Sequence, residues 1–178
     1  YREVGRACHF VTTNESRVMI DVGVNIASDT DPMPYFTAPE ALPLEKLDAV
    51  VLTHAHLDHA GMLPVLFKYG YRGPVYCTPP TRDLMLLLQT DYLKVGGAEG
   101  KRAPYDMEDI RTCMRHVVDV NWDETTDIAP DIKLTFSNAG HILGSSAVHL
   151  HIGDGKHNIV FSGDQKYEKS WLFDAANT

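Results

Sequence analysis

The pattern of apolar and polar positions predicts a chain of short strands with a few helices between them. Eight short runs rich in β-branched and apolar residues are typical of strands. They cover residues 8–12, 17–23, 47–53, 75–77, 117–120, 132–136, 147–152 and 158–162. Helical spacing predicts helices at about 61–69, from residue 79 onward and over 106–116. This order favours a layered α/β or α+β fold with a mixed sheet and helices packed outside it.

Several local features refine this prediction. The apolar run within 47–53 is uninterrupted, as in a strand buried on both faces. Thr78 precedes two prolines, the order typical of an N-cap followed by the first helical turn. Glycines within 96–100 are expected to break the helical region, and residues 24–46, with four prolines, to form a long loop. A stripe at helical spacing is expected in the core, namely Leu84, Leu87, Leu88 and Tyr92.

Three histidines and an aspartate lie within six residues directly after the strand at 47–53, in the order His54, His56, Asp58 and His59. Imidazole and carboxylate groups suit a divalent metal such as zinc, and strand ends are where open α/β sheets place ligand sites. His54 and His56 can share one ion, with Asp58 and His59 one turn further on, towards a second. Ordinary capping at a strand–helix junction is the alternative interpretation. Chance, however, gives a pattern like residues 54–59, called the hexad below, in roughly two of a thousand chains.

Six residues cannot complete two coordination shells, so further ligands must follow other strands. Asp21, His141 and Asp164 each follow a predicted strand and have glycine nearby, which lets the backbone turn tightly beside a site. Singly, each is more often a turn former or an ordinary histidine, but together with the hexad they favour a metal site. His149 and His151 alternate along one strand and are expected to form a polar face. The other titratable groups are expected to be structural or solvated, namely His9, His116, His157, Asp119, Asp123, Glu124 and Asp127.

Composition excludes several classes of protein. At 44% hydrophobic and 22% charged residues, the chain is neither disordered nor fibrous. Its longest apolar run, residues 84–88, is far short of the roughly 20 residues of a membrane span, so no membrane association is expected. The formal net charge of −8 argues against a basic nucleic-acid face over this segment. Three widely spaced cysteines make a poor disulfide framework and favour a cytoplasmic location, and Tyr1 is not expected to be the natural start.

In sequence order, Asp21, the hexad, His141 and Asp164 resemble the first four motifs of the metallo-β-lactamase superfamily. Within that superfamily, residues 1–6, 139–144 and 162–164 resemble the β-CASP RNA-processing nucleases. Two further segments, 31–36 and 73–83, narrow the resemblance to the archaeal homologue of the cleavage and polyadenylation specificity factor nuclease. The resemblance covers essentially the whole chain.

The resemblance implies two zinc ions. The residues that would hold them are His54, His56, Asp58, His59, His141 and Asp164. The first two histidines of the hexad and His141 would hold one ion, Asp58 and His59 the other, and Asp164 would bridge both. Asp21 would lie behind the ligands and fix the orientation of a ligand histidine. Asp58 and Asp164 would also be the catalytic carboxylates.

The resemblance further implies an αββα sandwich, of which residues 1–178 are expected to be the N-terminal part. The family's helical β-CASP cap, the C-terminal return of its sandwich and its upstream KH-type RNA-binding domains have no counterpart in these residues. Two later histidines belong to those segments, and one of them completes the second zinc site. These residues alone are therefore expected to be nearly inactive, and a homodimer is expected for the full-length protein.

The expected activity is zinc-dependent hydrolysis of RNA phosphodiester bonds in RNA 3′-end processing or transcription termination. It would be endonucleolytic, with 5′-exonuclease activity left open, and Asp58 would orient or deprotonate the attacking water. One alternative is a small-molecule thioester or ester hydrolase on the same fold. Another is a non-catalytic scaffold subunit of an RNA-processing complex, which the complete set of expected ligands disfavours.

Overall fold

A computed structural model describes residues 5–28, 30, 32–34, 43–101 and 103–177. Within these residues, nine strands form two sheets. The first sheet has, in spatial order, β1 (His9–Thr12), β2 (Arg17–Ile20), β3 (Ala49–Val51), β4 (Val75–Cys77) and β5 (Val117–Asp119). The second has β6 (Thr125–Ala129), β7 (Ile132–Asn138), β8 (Ser146–Ile152) and β9 (His157–Phe161). The first sheet is parallel except for the β1–β2 pair, and the second is antiparallel throughout.

Helices connect the parallel strands of the first sheet. They are a 3-10 turn (Leu44–Lys46), α1 (Leu57–Ala60), α2 (Leu63–Lys68), α3 (Pro79–Ala98) and α4 (Met107–Met114). Asp106 is the N-cap of α4, and its side chain accepts hydrogen bonds from the N–H groups of Glu108 and Asp109. No helix in the described ranges is long and apolar enough to cross a membrane.

Alternate residues of the central strands point into two separate cores. Val18 and Ile20 of β2 face the second sheet, where they pack with residues such as Leu134 and Val148. Met19, between them, faces the helices and packs with residues such as Phe67. The strand predicted at 47–53 is buried on both faces in the same way, as its apolar run indicates. The described residues thus form three layers, with helices, first sheet and second sheet in that order, as the prediction of a layered α/β fold has it.

The predicted helices need three corrections. The helix expected over about 61–69 is present as α2, but a separate turn, α1, precedes it inside the hexad. The glycines at 96 and 97 do not break α3, because glycine in a helix costs only about 1 kcal/mol; Gly100, with φ 70°, lies just beyond its end. Leu87 is 63% exposed, since it lies two residues, about 200°, from the buried Met85. The other three members of that stripe pack partly buried against the core.

Thr78 occupies the N-cap position of α3 but does not cap it through its side chain. Its hydroxyl donates instead to the carbonyl oxygen of Gly144, at 2.7 Å. This bond ties the start of α3 to the loop that follows β7. The capping prediction is therefore correct in position and wrong in the partner of the hydroxyl.

Strand β6 is missing from the sequence-based prediction, because its one buried residue, Ile128, leaves no alternating apolar pattern. Asp127 within it is exposed, as expected for the acidic run. The hairpin between β8 and β9 is confirmed. Of the segments that carry the family resemblance, residues 1–4, 31, 35 and 36 lie outside the described residues. Of the loop predicted at 24–46, residues 29, 31 and 35–42 lie outside them as well.

Candidate metal centre

Strands of both sheets end at one place, and the residues that follow them converge there. Asp21 follows β2 and His54 follows β3, two neighbouring parallel strands of the first sheet. His141 follows β7, and Asp164 follows β9 of the second sheet. The candidate site therefore lies at an edge shared by the two sheets, where open α/β sheets commonly bind ligands.

Three histidines bring ring nitrogens together at this edge. His54 Nε2 lies 3.1 Å from His56 Nδ1, which lies 3.2 Å from His141 Nε2. Asp164 Oδ2 lies 3.5 Å from His141 Nε2 and 4.0 Å from His54 Nε2. One ligand atom from each of these four residues lies within 4.8 Å of all the others. The four residues form a group that could hold a metal ion.

This donor set fits a divalent metal in both chemistry and spacing. Four ligand atoms held tetrahedrally at a Zn–N distance of about 2.0–2.1 Å lie about 3.3 Å from one another. The two nitrogen–nitrogen distances of 3.1 and 3.2 Å are close to that value. Three imidazoles and one carboxylate are also ligand types that zinc prefers. The residues present therefore fit the metal that the fold implies.

Asp58 and His59 lie beside this group, on the first turn of α1. His59 Nε2 is 3.8 Å from Asp58 Oδ2 and 3.5 Å from Asp164 Oδ1. Asp164 thus directs one carboxylate oxygen towards His59 and the other towards His54 and His141. This geometry suits a carboxylate shared between two neighbouring cations.

Asp21 lies behind the ligand atoms and is buried, at 1% exposure. Its Oδ2 accepts a hydrogen bond from His59 Nδ1 at 2.8 Å, so the other ring nitrogen of His59 is directed towards Asp58 and Asp164. Its backbone has φ 58°, the left-handed conformation that is uncommon outside glycine and often found at functional sites. A carboxylate in this position can orient a neighbouring histidine ring.

Backbone hydrogen bonds hold α1 in place. Because α1 is a single turn, its carbonyl oxygens are open to other segments. Leu57, Asp58 and His59 accept from the N–H groups of Val24, Ala7 and Val22, respectively. Gly23 lies so close that a Cβ there would be 1.6 Å from the carbonyl oxygen of Asp58. Only glycine therefore fits at position 23 without moving the second half of the hexad.

The loops that carry His141 and Asp164 are also tied down. The N–H of His141 donates to Ser145 Oγ at 3.0 Å. Gly140, with φ 68°, packs so closely on residues 166 and 175–176 that a Cβ there would be 2.6 Å from the carbonyl oxygen of Lys166. The chain beyond Asp164 thus supports the loop that presents His141.

Burial and neighbouring charges set the protonation of the histidines. Burial, with three neighbouring histidines, lowers the pKa of His54 to about 2. Burial and His141 also lower the pKa of His56. Burial acts in the same direction on His59, but the hydrogen bond to Asp21 and the charges of three carboxylates outweigh it and raise its pKa. His54 and His56 are therefore neutral in the folded protein near pH 7, the form that binds metals.

The structure brings together every residue that the sequence predicts for the site, with Asp21 behind the others. It also adds Thr53, whose hydroxyl lies between Asp21 and His54. The sequence signal for Thr53 is a hydroxyl residue directly before the hexad, but threonine at a strand end is too common to be singled out. His149 and His151 stay apart from the site and hydrogen-bond to Asn158 and Thr135, as expected for a polar face.

The chain belongs to the metallo-β-lactamase superfamily, whose family model matches residues 1–176. Two archaeal relatives are similar to nearly the whole chain, in keeping with the narrower resemblance. The chain is 60% identical over 175 residues to the protein named transcription termination factor FttA of Methanosarcina mazei, covering 98% of this chain and 28% of the relative. It is 55% identical over 175 residues to the protein of the same name in Methanocaldococcus jannaschii, covering 98% of this chain and 27% of the relative.

Solved structures support the fold alone. The metallo-β-lactamase fold protein YhfI of Bacillus subtilis superimposes with a TM-score of 0.57 at 19% identity. The match covers 92% of this chain and 56% of YhfI.

Proposed function

We propose that these residues carry the metal-binding half of a zinc-dependent ribonuclease that acts in transcription termination or RNA 3′-end processing. The observation that carries this proposal is the convergence of ring nitrogens from His54, His56 and His141 and a carboxylate oxygen of Asp164, all within 4.8 Å of one another. The names of the archaeal relatives support transcription as the process. The superfamily supports metal-dependent hydrolysis as the reaction class.

Each side chain has a defined task in this proposal. His54, His56 and His141 would hold one zinc ion, while Asp58 and His59 would hold the second, with Asp164 between the two. When bound, such ions lower the pKa of a water molecule and offset charge on phosphoryl oxygens. Asp58, whose side chain is 33% exposed, can accept a proton from the attacking water.

The charge of the chain bears on how RNA would be held. The formal net charge is −8, and Asp58 and Asp164 add local negative charge at the site. A phosphodiester would therefore be repelled unless divalent cations offset these carboxylates. We infer that most affinity for the RNA backbone comes from outside residues 1–178. The expected homodimer and the neighbouring domains stay predictions.

Turnover on two substrate classes tests the proposal. The full-length protein should cleave an end-labelled RNA oligonucleotide and show little activity on a thioester. His54→Ala removes a ligand itself, so RNA cleavage should fall by more than the roughly 10- to 100-fold that losing a hydrogen-bond partner behind a ligand typically costs. His149→Ala, a matched change on the outer face of the second sheet, should retain activity. Hydrolysis of the thioester alone would replace the ribonuclease with the small-molecule hydrolase, and no turnover of either substrate would favour the scaffold.

A further inference from the structure

Thr53 contacts each of the segments that form the candidate metal centre. Its N–H donates to Asp21 Oδ1 at 2.8 Å, and its carbonyl oxygen accepts from the N–H of Ser146, at the end of the His141 loop, at 2.8 Å. Gly163, directly before Asp164, packs so closely that a Cβ there would be 2.9 Å from Thr53 Cβ. The residue is 1% exposed. Its side chain is thus held in one place by the segments that supply the ligands.

The hydroxyl of Thr53 has a single proton and several neighbours. Its Oγ1 lies 2.8 Å from Asp21 Oδ2, 3.1 Å from Asp21 Oδ1 and 3.0 Å from His54 Nδ1. A carboxylate only accepts hydrogen bonds, so the hydroxyl proton must point to Asp21. The lone pairs of Oγ1 then face His54 Nδ1, and this contact is favourable only if Nδ1 carries a proton.

We propose that Thr53 is a positioning residue that fixes His54 with its proton on Nδ1, so that the Nε2 lone pair faces the metal. This inference rests on the proposed function, because it assigns Thr53 a role toward the zinc that His54 would hold. Under this proposal Asp21 also influences His54, through the hydroxyl of Thr53. The same oxygen, Asp21 Oδ2, accepts from the Thr53 hydroxyl and from His59 Nδ1.

One buried carboxylate therefore orients two histidines whose Nε2 atoms lie near different oxygens of Asp164. It acts on His59 directly and on His54 through the hydroxyl of Thr53. Hydrogen bonds behind a ligand histidine fix its tautomer and ring orientation and raise metal affinity, by about 10- to 100-fold where measured. Removing the hydroxyl should free His54 to take the other tautomer, in which Nε2 cannot bind a metal.

The tautomer itself can be read in the absence of metal. Nitrogen NMR of the full-length wild-type protein, with ring-labelled histidine and excess chelator, should show the proton of His54 on Nδ1. The His54 resonances are assigned by their loss in His54→Gln. A proton on Nε2 in the metal-free wild type would overturn the proposal, and this result does not depend on whether any variant folds.

Matched variants test the consequence for metal binding. Thr53→Val removes the hydroxyl at nearly constant shape and should weaken zinc binding about 10- to 100-fold in a competitive chelator titration. It should also alter the visible absorption of the cobalt-substituted protein. Thr53→Ser keeps the hydroxyl and should restore affinity to within about threefold of wild type, which a merely structural role of the residue would not require.

The outcomes separate this inference from the proposed function. Zinc binding by Thr53→Val that equals that of the wild type would overturn the role of Thr53 while leaving the metal centre intact. Absence of zinc binding by the wild type would instead contradict the proposed function, and the metal-free tautomer would still decide what Thr53 does to His54.

Discussion

At the scale of single residues, His54 combines deep burial with a titratable ring. Its pKa is lowered to about 2, because burial and the three neighbouring histidines disfavour the charged form. An unfolded chain would instead take up a proton on this ring near pH 6.5. Below that pH the unfolded state binds more protons at His54 than the folded state, so acid favours unfolding.

This difference predicts how stability depends on pH in the metal-free protein. As the pH is lowered below 6.5, the free energy of unfolding should fall by up to about 1.4 kcal/mol per pH unit from His54 alone. The measurement is denaturant unfolding in excess chelator between pH 7 and pH 5. His54→Gln should make the decline shallower.

The pKa of His59 is shifted in the opposite direction from that of His54. Although its burial acts to lower the pKa, the hydrogen bond to Asp21 and the nearby carboxylates raise it. The folded state then holds a proton more tightly than the unfolded state. This contribution is fully present below the unfolded pKa and is lost as the pH rises through the folded value. His59→Gln should therefore make the decline towards low pH steeper, and parallel curves for all three proteins would contradict both assignments.

The residues of the site differ in how well the sequence alone predicts them. The hexad can be predicted from composition and spacing, because clustered imidazoles beside a strand end have few other uses. Asp21, His141 and Asp164 are informative only as a set. The function of Thr53 depends on the direction of one hydroxyl proton, which distances to Asp21 and His54 reveal and a sequence does not.

At the scale of elements, the segment after β2 determines where α1 sits. Residues 22 and 24 donate to carbonyl oxygens of α1, and Gly23 lies against the backbone of Asp58. The position of Asp58 and His59 thus depends on an element far away in sequence. This close contact explains why position 23 is occupied by glycine.

Gly23→Ala should disrupt this contact, because its Cβ would fall 1.6 Å from the carbonyl oxygen of Asp58. The free energy of unfolding should drop by about 1–3 kcal/mol, the usual range for overpacking, and zinc binding should weaken. Gly97→Ala is the matched control, since a Cβ there meets nothing within 4 Å. It should stabilise α3 by up to about 1 kcal/mol. Equal stability of the two variants in denaturant unfolding would contradict this account.

Strands with strong apolar patterns could be predicted from the sequence, whereas elements shaped by tertiary contacts could not. The strands now numbered β3, β7 and β8 follow directly from buried or alternating residues. Strand β6 has one buried residue and takes its conformation from pairing with β7. Similarly, α1 begins within the hexad because neighbouring segments bind its carbonyl groups, and no local propensity indicates it.

At the scale of the whole molecule, the candidate centre joins the two sheets. His54 and His56 follow the first sheet, while His141 and Asp164 follow strands of the second. A metal held by all four would cross-link the two sheets at one edge. Because such a site exists only in the folded protein, metal binding should add directly to stability.

Zinc should therefore raise the unfolding temperature of the full-length protein. A free concentration 100 times the dissociation constant adds about 2.7 kcal/mol, less whatever the unfolded chain binds. Thermal unfolding with zinc and with chelator measures the difference. Asp164→Asn should reduce the shift, and His149→Ala should leave it as in the wild type. An unfolding temperature independent of zinc would mean that the four residues do not hold it in the folded state.

The layered architecture could be predicted from the order of strands and helices, and the family from the motif positions. The relative placement of the two sheets could not, because residues 21, 54, 141 and 164 are brought together only by tertiary packing. The net charge of −8 likewise says nothing about where the carboxylates cluster. Only the folded chain brings Asp58 and Asp164 beside the ring nitrogens of the histidines.

X-ray diffraction across the zinc absorption edge, from crystals of the full-length protein grown with zinc, tests the central claim most directly. The account predicts one anomalous peak bounded by His54 Nε2, His56 Nδ1 and His141 Nε2. A second peak should lie beside Asp58 and His59, with Asp164 reaching both. Zinc found elsewhere, for example at the His149–His151 pair, with no peak among the first three nitrogens, would contradict it.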